Sequence, residues 1–171
     1  APDARVRRMA QADTLRRFVF ERFPFRGQLV HLGPAWAAMM EHHDYPPQVR
    51  DSLGEAVVAA ALLSSTLKYD GLLSLQLRGE GPMHLMLVEC TDGLAMRAVA
   101  RFRDVPDSRD LRVLSGNGTL TVFFTGTRGD HRDRYMLQTD IVAHTADHFK
   151  TIHTRHFYIQ QHNIGQRIHF L

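Results

Sequence analysis

The hydrophobic period of this chain changes once, sharply, and that change limits the folds open to it. Val49, Leu53, Ala56, Val57, Ala60, Leu63 and Leu67 recur at helical spacing. After the turn Lys68-Tyr69-Asp70-Gly71 the spacing becomes two, and Leu73, Leu75 and Leu77 alternate with Ser74, Gln76 and Arg78. The first pattern puts side chains on one helical face, the second on one strand face. A long apolar-faced helix leading straight into a half-buried strand calls for an α+β fold, a mostly antiparallel sheet packed on helices. Val58 and Leu62 widen the helix's apolar face, so burial on more than one side is expected. Gly54 inside it costs about 1 kcal/mol of helix propensity. A close approach by a neighbouring element would explain it.

The strand pattern continues beyond Arg78. Gly79-Glu80-Gly81-Pro82 turns the chain, Met83, Leu85 and Leu87 alternate with His84, Met86 and Val88, and Thr91-Asp92-Gly93 turns it again before Leu94 to Phe102. Short glycine turns between three such runs predict an antiparallel meander. With the leucines toward the core, the opposite face carries Gln76, Met86, Val88 and Val99, and Phe123 joins it from the next strand. That strand, Thr119 to Thr125, is expected to pair with Tyr135 to Leu137 across a charged loop from Gly126 to Arg134. Pro106 to Arg112 reads as a polar connection with one helical turn. Asp140 to Phe149 reads as a helix, and Arg155 to Ile159 and Arg167 to Leu171 as terminal strands.

Upstream, Asp13 is placed to cap a helix in which Leu15, Phe18 and Val19 share a face. That helix should end near Phe23-Pro24, because a residue before proline is disfavoured in the α region. Phe25 to Leu32 reads as a short strand. Pro34, suited to a first helical position, opens a second helix with Trp36, Met39, Met40 and His43 on one face. No repeat, low-complexity tract or linker divides the chain, so residues 1–171 read as a single domain.

Composition narrows the function. With 171 residues, 44% apolar and 23% charged, the chain is an ordinary globular one with a single core. The longest strongly apolar run, Ala56 to Leu63, is too short to span a bilayer, and no membrane partner is expected. Ala1 to Arg17 is polar and Arg-rich, without the apolar stretch of a secretory signal. The first residue is not Met, so the numbering is expected to start inside a longer or processed chain. A net charge of +3, with Arg interspersed among Asp and Glu, argues against a nucleic-acid partner. Cys90 is the single cysteine, which rules out an internal disulfide or a Cys-paired zinc site within these residues. A reducing cytoplasm is the expected compartment.

Candidate chemistry weighs little. Gly79-Glu80-Gly81 lies between two strands rather than between a strand and a helix, so it reads as a hairpin turn and not a phosphate cradle. Ser65 and Lys68 have the spacing of a Ser-Lys nucleophile pair, but its supporting motifs are missing, and the polar end of a long helix is the plainer reading. His144, His148, His153, His156, His162 and His169 crowd the last part of the chain. His144 and His148 could share one metal ion from a helix, although such spacing puts any two residues on one face. His42 and His43 diverge on a helix. Cys90, at a strand end, reads as a small apolar filler. No acid, base and nucleophile can be assembled, and no enzyme is expected.

A collinear set of segments carries a resemblance. Asp13-Thr14-Leu15-Arg16-Arg17-Phe18-Val19-Phe20-Glu21 is followed by Arg26-Gly27-Gln28-Leu29-Val30, His43-Asp44-Tyr45-Pro46, and Leu62-Leu63 with Thr66-Leu67-Lys68-Tyr69-Asp70-Gly71. Gln76-Leu77-Arg78-Gly79-Glu80-Gly81-Pro82, Met96-Arg97-Ala98-Val99-Ala100-Arg101 and Gly116-Asn117-Gly118 complete it. In this order and spacing they resemble the N-terminal domain of the heat-shock protein 33 family, redox-regulated holdase chaperones. After Gln138 only an outline of the likeness remains. The resemblance implies an ATP-independent, cytoplasmic chaperone domain that binds unfolding client proteins through exposed apolar surface and forms a homodimer. Met86, Val88, Val99 and Phe123 are the candidate client-binding residues. The family binds zinc through C-terminal cysteines that do not occur in this sequence, so the resemblance implies the N-terminal domain without the zinc redox switch and no cofactor in this chain. The rival reading is a metal-binding protein or metal-dependent enzyme built on the histidine-rich end of the chain, with His144 and His148 as the pair whose replacement would test it. A structural dimer module that no longer holds clients is a third.

Overall fold

Val49, Leu53, Ala56, Val57 and Ala60 of the predicted helix meet Leu73, Leu75 and Leu77 of the predicted strand in one apolar core. The structure, a computed structural model, describes residues 12–22, 25–67, 69–128, 131–140, 157–160 and 166–168. In chain order the elements are β1 (Thr14–Val19), β2 (Arg26–His31), α1 (Pro34–Met40), α2 (Pro47–Thr66), β3 (Gly71–Arg78), β4 (Met83–Thr91) and β5 (Met96–Phe102). They continue as α3 (Leu111–Ser115), β6 (Thr119–Arg128), β7 (His131–Asp140), β8 (Phe157–Gln160) and β9 (Gln166–Ile168). Strands β5-β4-β3-β6-β7-β8-β9 form one antiparallel sheet, and β1-β2 form a separate hairpin. The fold is α+β, as the change of period requires.

Helix α2 is the centre of the core. Val49, Leu53, Val57 and Ala60 are fully buried, and Ala61 and Ser64 join them, so the helix is enclosed over more than a narrow stripe. Full burial of a leucine or valine stabilises by about 1.5–3 kcal/mol. The close approach expected at Gly54 exists: the Trp36 indole lies against the helix there, 3.4 Å from where a Cβ would stand. Trp36, Met39 and Met40 of α1 pack on the same core, and so does Leu114 of α3. The three helices of the described residues therefore lie on one side of the sheet.

The first predicted helix is instead a strand. Leu15, Phe18 and Val19 fit a helical face, but Phe18-Val19-Phe20 is also a β-favouring run, and tertiary pairing decides between the two. β1 pairs with β2 from Thr14 opposite His31 to Val19 opposite Arg26. The Phe18 ring lies directly over Gly27, where any side chain would collide with it. Arg17 donates to the Ser65 carbonyl and Gln28 to the Thr66 hydroxyl, tying this hairpin to the end of α2. Asp13 is a helix cap after all, but of a helix distant in sequence. Its carboxylate accepts from the backbone N–H of Gly33 at 2.7 Å and of Ala35 at 3.0 Å, at the start of α1.

The β6–β7 hairpin is longer than expected. Pairing runs from Thr119 opposite Asp140 to Arg128 opposite His131, so most of the charged stretch read as a loop is strand. Asp140 ends β7, and the helix expected to follow it lies outside the described residues. Strands β8 and β9 occur close to the expected terminal strands. The turn after Arg78 docks on the turn before β6: Gly81 N–H donates to Ser115 at 2.9 Å, and Gly116 holds a left-handed φ of 58°. A Cβ on Gly81 would stand 2.5 Å from the Gly116 nitrogen, so the two backbones touch where side chains are missing.

Candidate client-binding surface

The register of the meander decides which side chains face outward, and it overturns half of the expected surface. Leu77 stands opposite Met86, Leu75 opposite Val88 and Leu73 opposite Cys90. Met86, Val88 and Cys90 are 3%, 0% and 0% exposed and belong to the core. Met86 and Val88 are therefore not surface residues. The cause is a β-bulge: the register shifts between Met83 and Leu85, so Met83 and Met86 both face inward although three positions separate them. One inserted residue moves every later side chain to the other face. Val99 and Phe123 do lie on the outer face, with Gln76, as expected. Leu85 and Leu87, assigned to the core from sequence, join them there.

The outer face is built as rows across the strands. Val99, Leu87, Gln76, Thr121 and Gln138 are successive cross-strand partners from β5 to β7. The next row runs Arg97, Glu89, Ser74, Phe123 and Met136, and the row on the other side Arg101, Leu85, Arg78, Thr119 and Asp140. Neighbouring strands lie about 4.8 Å apart, so Leu87 and Val99, directly opposite one another, are side-by-side neighbours on this face, and Leu85 follows on the same face of β4. Leu85, Leu87, Val99 and Phe123 are all half-buried. Charged groups rim this apolar centre. Arg97 pairs with Glu89, which raises the guanidinium's proton affinity through a hydrogen bond and direct attraction. Thr119 donates to Asp140 at 2.9 Å. None of the helices among the described residues packs on this side.

The remaining candidates fall into packing roles. The Cys90 thiol is sealed in the core, and burial pushes its pKa up while a hydrogen bond with Ser64 pulls it partly back. Ser64 Oγ lies 2.6 Å from Tyr69 Oη and donates to Thr91 O at 2.9 Å, and Tyr69 donates to Cys90 O at 3.2 Å. These bonds join the end of α2 to the end of β4. Ser65 Oγ lies within hydrogen-bond reach of Gln28 Oε1 and Leu62 O, and Lys68 is outside the described residues. His43 stacks on Tyr45 with ring centroids 5.0 Å apart, while Tyr45 Oη accepts from Ala100 N–H at 3.2 Å on the outer edge of β5. Gly79-Glu80-Gly81 is the expected hairpin turn. Among the described residues no group of three His, Cys, Asp or Glu could hold a metal ion. His144, His148, His153, His156, His162 and His169 lie outside them. No helix among the described residues is long and apolar enough to cross a membrane.

A sheet that buries one face on helices and presents an apolar centre with a charged rim on the other is a surface suited to binding polypeptide. The comparisons give the lineage. The family model described as Hsp33 protein matches residues 13–153, and the chain belongs to that family. It is 44% identical over 123 residues to the 33 kDa chaperonin of Cronobacter sakazakii and 41% identical over 123 residues to that of Escherichia coli. Each match covers 71% of this chain and 42% of the relative, so the chain spans less than half the length of the curated relatives it matches. The crystal structure of the 33 kDa chaperonin from Thermotoga maritima superposes with a TM-score of 0.58 at 20% identity, covering 68% of this chain and 41% of that one. That superposition supports the fold.

Proposed function

We propose that this domain is a non-enzymatic, ATP-independent holdase that binds unfolding proteins on the outer face of its sheet. The observation that carries the reading is the centre of Leu85, Leu87 and Val99 on β4 and β5, with Phe123 standing apart from it two strands away on β6, on a face without a helix among the described residues. A client that exposes apolar side chains gains about 25 cal/mol for each Å² buried against such a surface. Family membership supports the same conclusion, since the relatives bear the name chaperonin. The reading includes a cytoplasmic setting, a homodimer and descent from an oxidation-activated family. It needs no metal in this chain.

Light scattering of a heat-denatured client, under reducing conditions and without nucleotide, tests the proposal. The wild-type domain should suppress scattering. The Leu87→Ser/Val99→Ser variant should suppress it less while still folding, because these half-buried side chains lie outside the core and the loss of a cross-strand apolar pair costs about 0.2–1 kcal/mol. Equal suppression by a folded double variant would move the client surface elsewhere. No suppression by the folded wild type would remove the holdase reading.

A further inference from the structure

A hollow of about 430 Å³ lies beside α2, on the helix side of the sheet and away from its outer face. Trp36, Arg50, Asp51, Gly54, Glu55 and Arg109 line it. Two of these residues sit where helix physics disfavours them. Glycine is the poorest helix former after proline, and packing does not demand it at 54: a Cβ there would meet the Trp36 ring at 3.4 Å, an ordinary contact. Arg50 follows directly on a first turn that holds no acid, at the end of the helix where the macrodipole favours negative charge. Both residues lower the intrinsic stability of α2, and both shape the hollow. Without a side chain at 54, the six-membered ring of the indole is open as its floor.

One wall is pinned in place. Arg109 pairs with Asp51 at 2.9 Å and Gln48 donates to Asp107 at 2.8 Å, so the loop before α3 is tied to α2 at two points. The Arg109–Asp51 pair cancels its own charge. Arg50 and Glu55 are exposed and have no ion-pair partner among the described residues. At 3.6 residues per turn they stand about 140° apart around α2, with Gly54 and Asp51 between them. The hollow therefore has an aromatic floor, a cation on one side and an anion on the other. Its volume falls in the range of small-molecule sites, about 300–1,000 Å³. The charges select among small molecules. A simple anion would meet Arg50 but be repelled by Glu55, and a simple cation the reverse. A flat molecule with opposite charges at its two ends satisfies both, while its ring packs on the indole. We propose that this hollow binds a small zwitterion with a flat aromatic body, its carboxylate on Arg50 and its ammonium on Glu55.

Trp36 is the only tryptophan of the chain, so intrinsic fluorescence reads the site directly. The probe is 4-(aminomethyl)benzoate, with benzylamine and 4-methylbenzoate as controls that carry one of its charges each. The zwitterion should change Trp36 emission saturably and bind about two- to fivefold tighter than either control, as one exposed ion pair allows. Arg50→Gln should remove its advantage over benzylamine, and Glu55→Gln its advantage over 4-methylbenzoate. Both residues are exposed, so both variants should keep the wild-type fold. Gly54→Ala should melt no lower than the wild type and yet bind about tenfold more weakly, because its methyl group covers the ring. A glycine with a purely structural role would not pair a retained fold with a lost site. Equal binding of the three compounds, advantages that survive Arg50→Gln and Glu55→Gln, emission that does not saturate, or full affinity in folded Gly54→Ala would each overturn the proposal. None of these readouts involves a client protein, so this site and the holdase reading can fail independently.

Discussion

Met86 lies directly opposite Leu77 across the β3–β4 pair, and both are sealed in the core. Truncating either should leave a cavity between the sheet and α2. Met86→Ala is expected to cost about 2–5 kcal/mol, the range for large-to-small changes in packed cores. Leu87→Ser, one residue away on the outer face, should cost much less. Denaturant melts of the two variants check this, and the reverse order would show that the inward and outward faces of β4 had been exchanged.

The contrast within β4 marks the limit of what the sequence makes legible. The change of period predicts α2, the meander and their mutual packing, because each segment's pattern is long and unambiguous. The inward face of β4 is not legible, since Met83 to Val88 alternates cleanly in either phase and only the bulge fixes which phase is buried. β1 fails for a related reason: Leu15, Phe18 and Val19 satisfy a helical face locally, while Gly27 and Gln28, which settle the pairing, lie later in the chain. The proposed client surface inherits the first difficulty. Val99 and Phe123 are legible as outward residues because no bulge precedes them within their strands. Leu85 and Leu87 could be found only by counting across the bulge.

Asp13 joins the start of β1 to the start of α1, and this long-range cap can be measured. Asp13→Ala removes the acceptor for two backbone N–H groups. The expected loss is about 0.5–2 kcal/mol, typical of a helix N-cap. Asp13→Asn keeps a side-chain oxygen and should recover part of it. Thermal melts of the three proteins decide the point; equal stabilities would mean that water replaces the carboxylate at no cost.

Cys90 and Tyr69 should make the fold sensitive to alkali. Burial raises both pKa values, above an ordinary 9.0 for the thiol and 10.0 for the phenol. The folded state thus holds these protons more tightly than the unfolded chain does. Their contribution to stability is complete below pH 9 and is lost as pH rises through the ordinary values toward the raised ones. Melting temperatures at pH 8 and pH 10 should fall more for the wild type than for Cys90→Ala, which is less stable at both because it loses packing. Parallel slopes would show that the thiol stays protonated in both states or is reached by solvent. Peroxide should leave reduced wild-type protein unchanged on the timescale in which an exposed thiol reacts, since oxidation follows thiolate character and access.

Two glycines should respond in opposite directions to the same substitution. Gly54 sits inside α2 without a left-handed φ, and a Cβ there would meet the Trp36 ring at 3.4 Å, an ordinary contact. Gly54→Ala should therefore gain up to about 1 kcal/mol from helix propensity and the smaller entropy of the unfolded chain. Gly81 lies where the hairpin turn presses on Ser115 and Gly116, with backbone atoms 2.5 Å from the added carbon. Gly81→Ala must push the two turns apart, break the Gly81–Ser115 hydrogen bond, or both, at a cost of about 1–3 kcal/mol. Chemical denaturation of both variants gives the comparison. Destabilisation of Gly54→Ala would mean that the indole cannot yield even a few tenths of an ångström. A neutral Gly81→Ala would mean that the α3–β6 turn moves freely against the β3–β4 hairpin, and that the contact between them does not hold the end of the sheet.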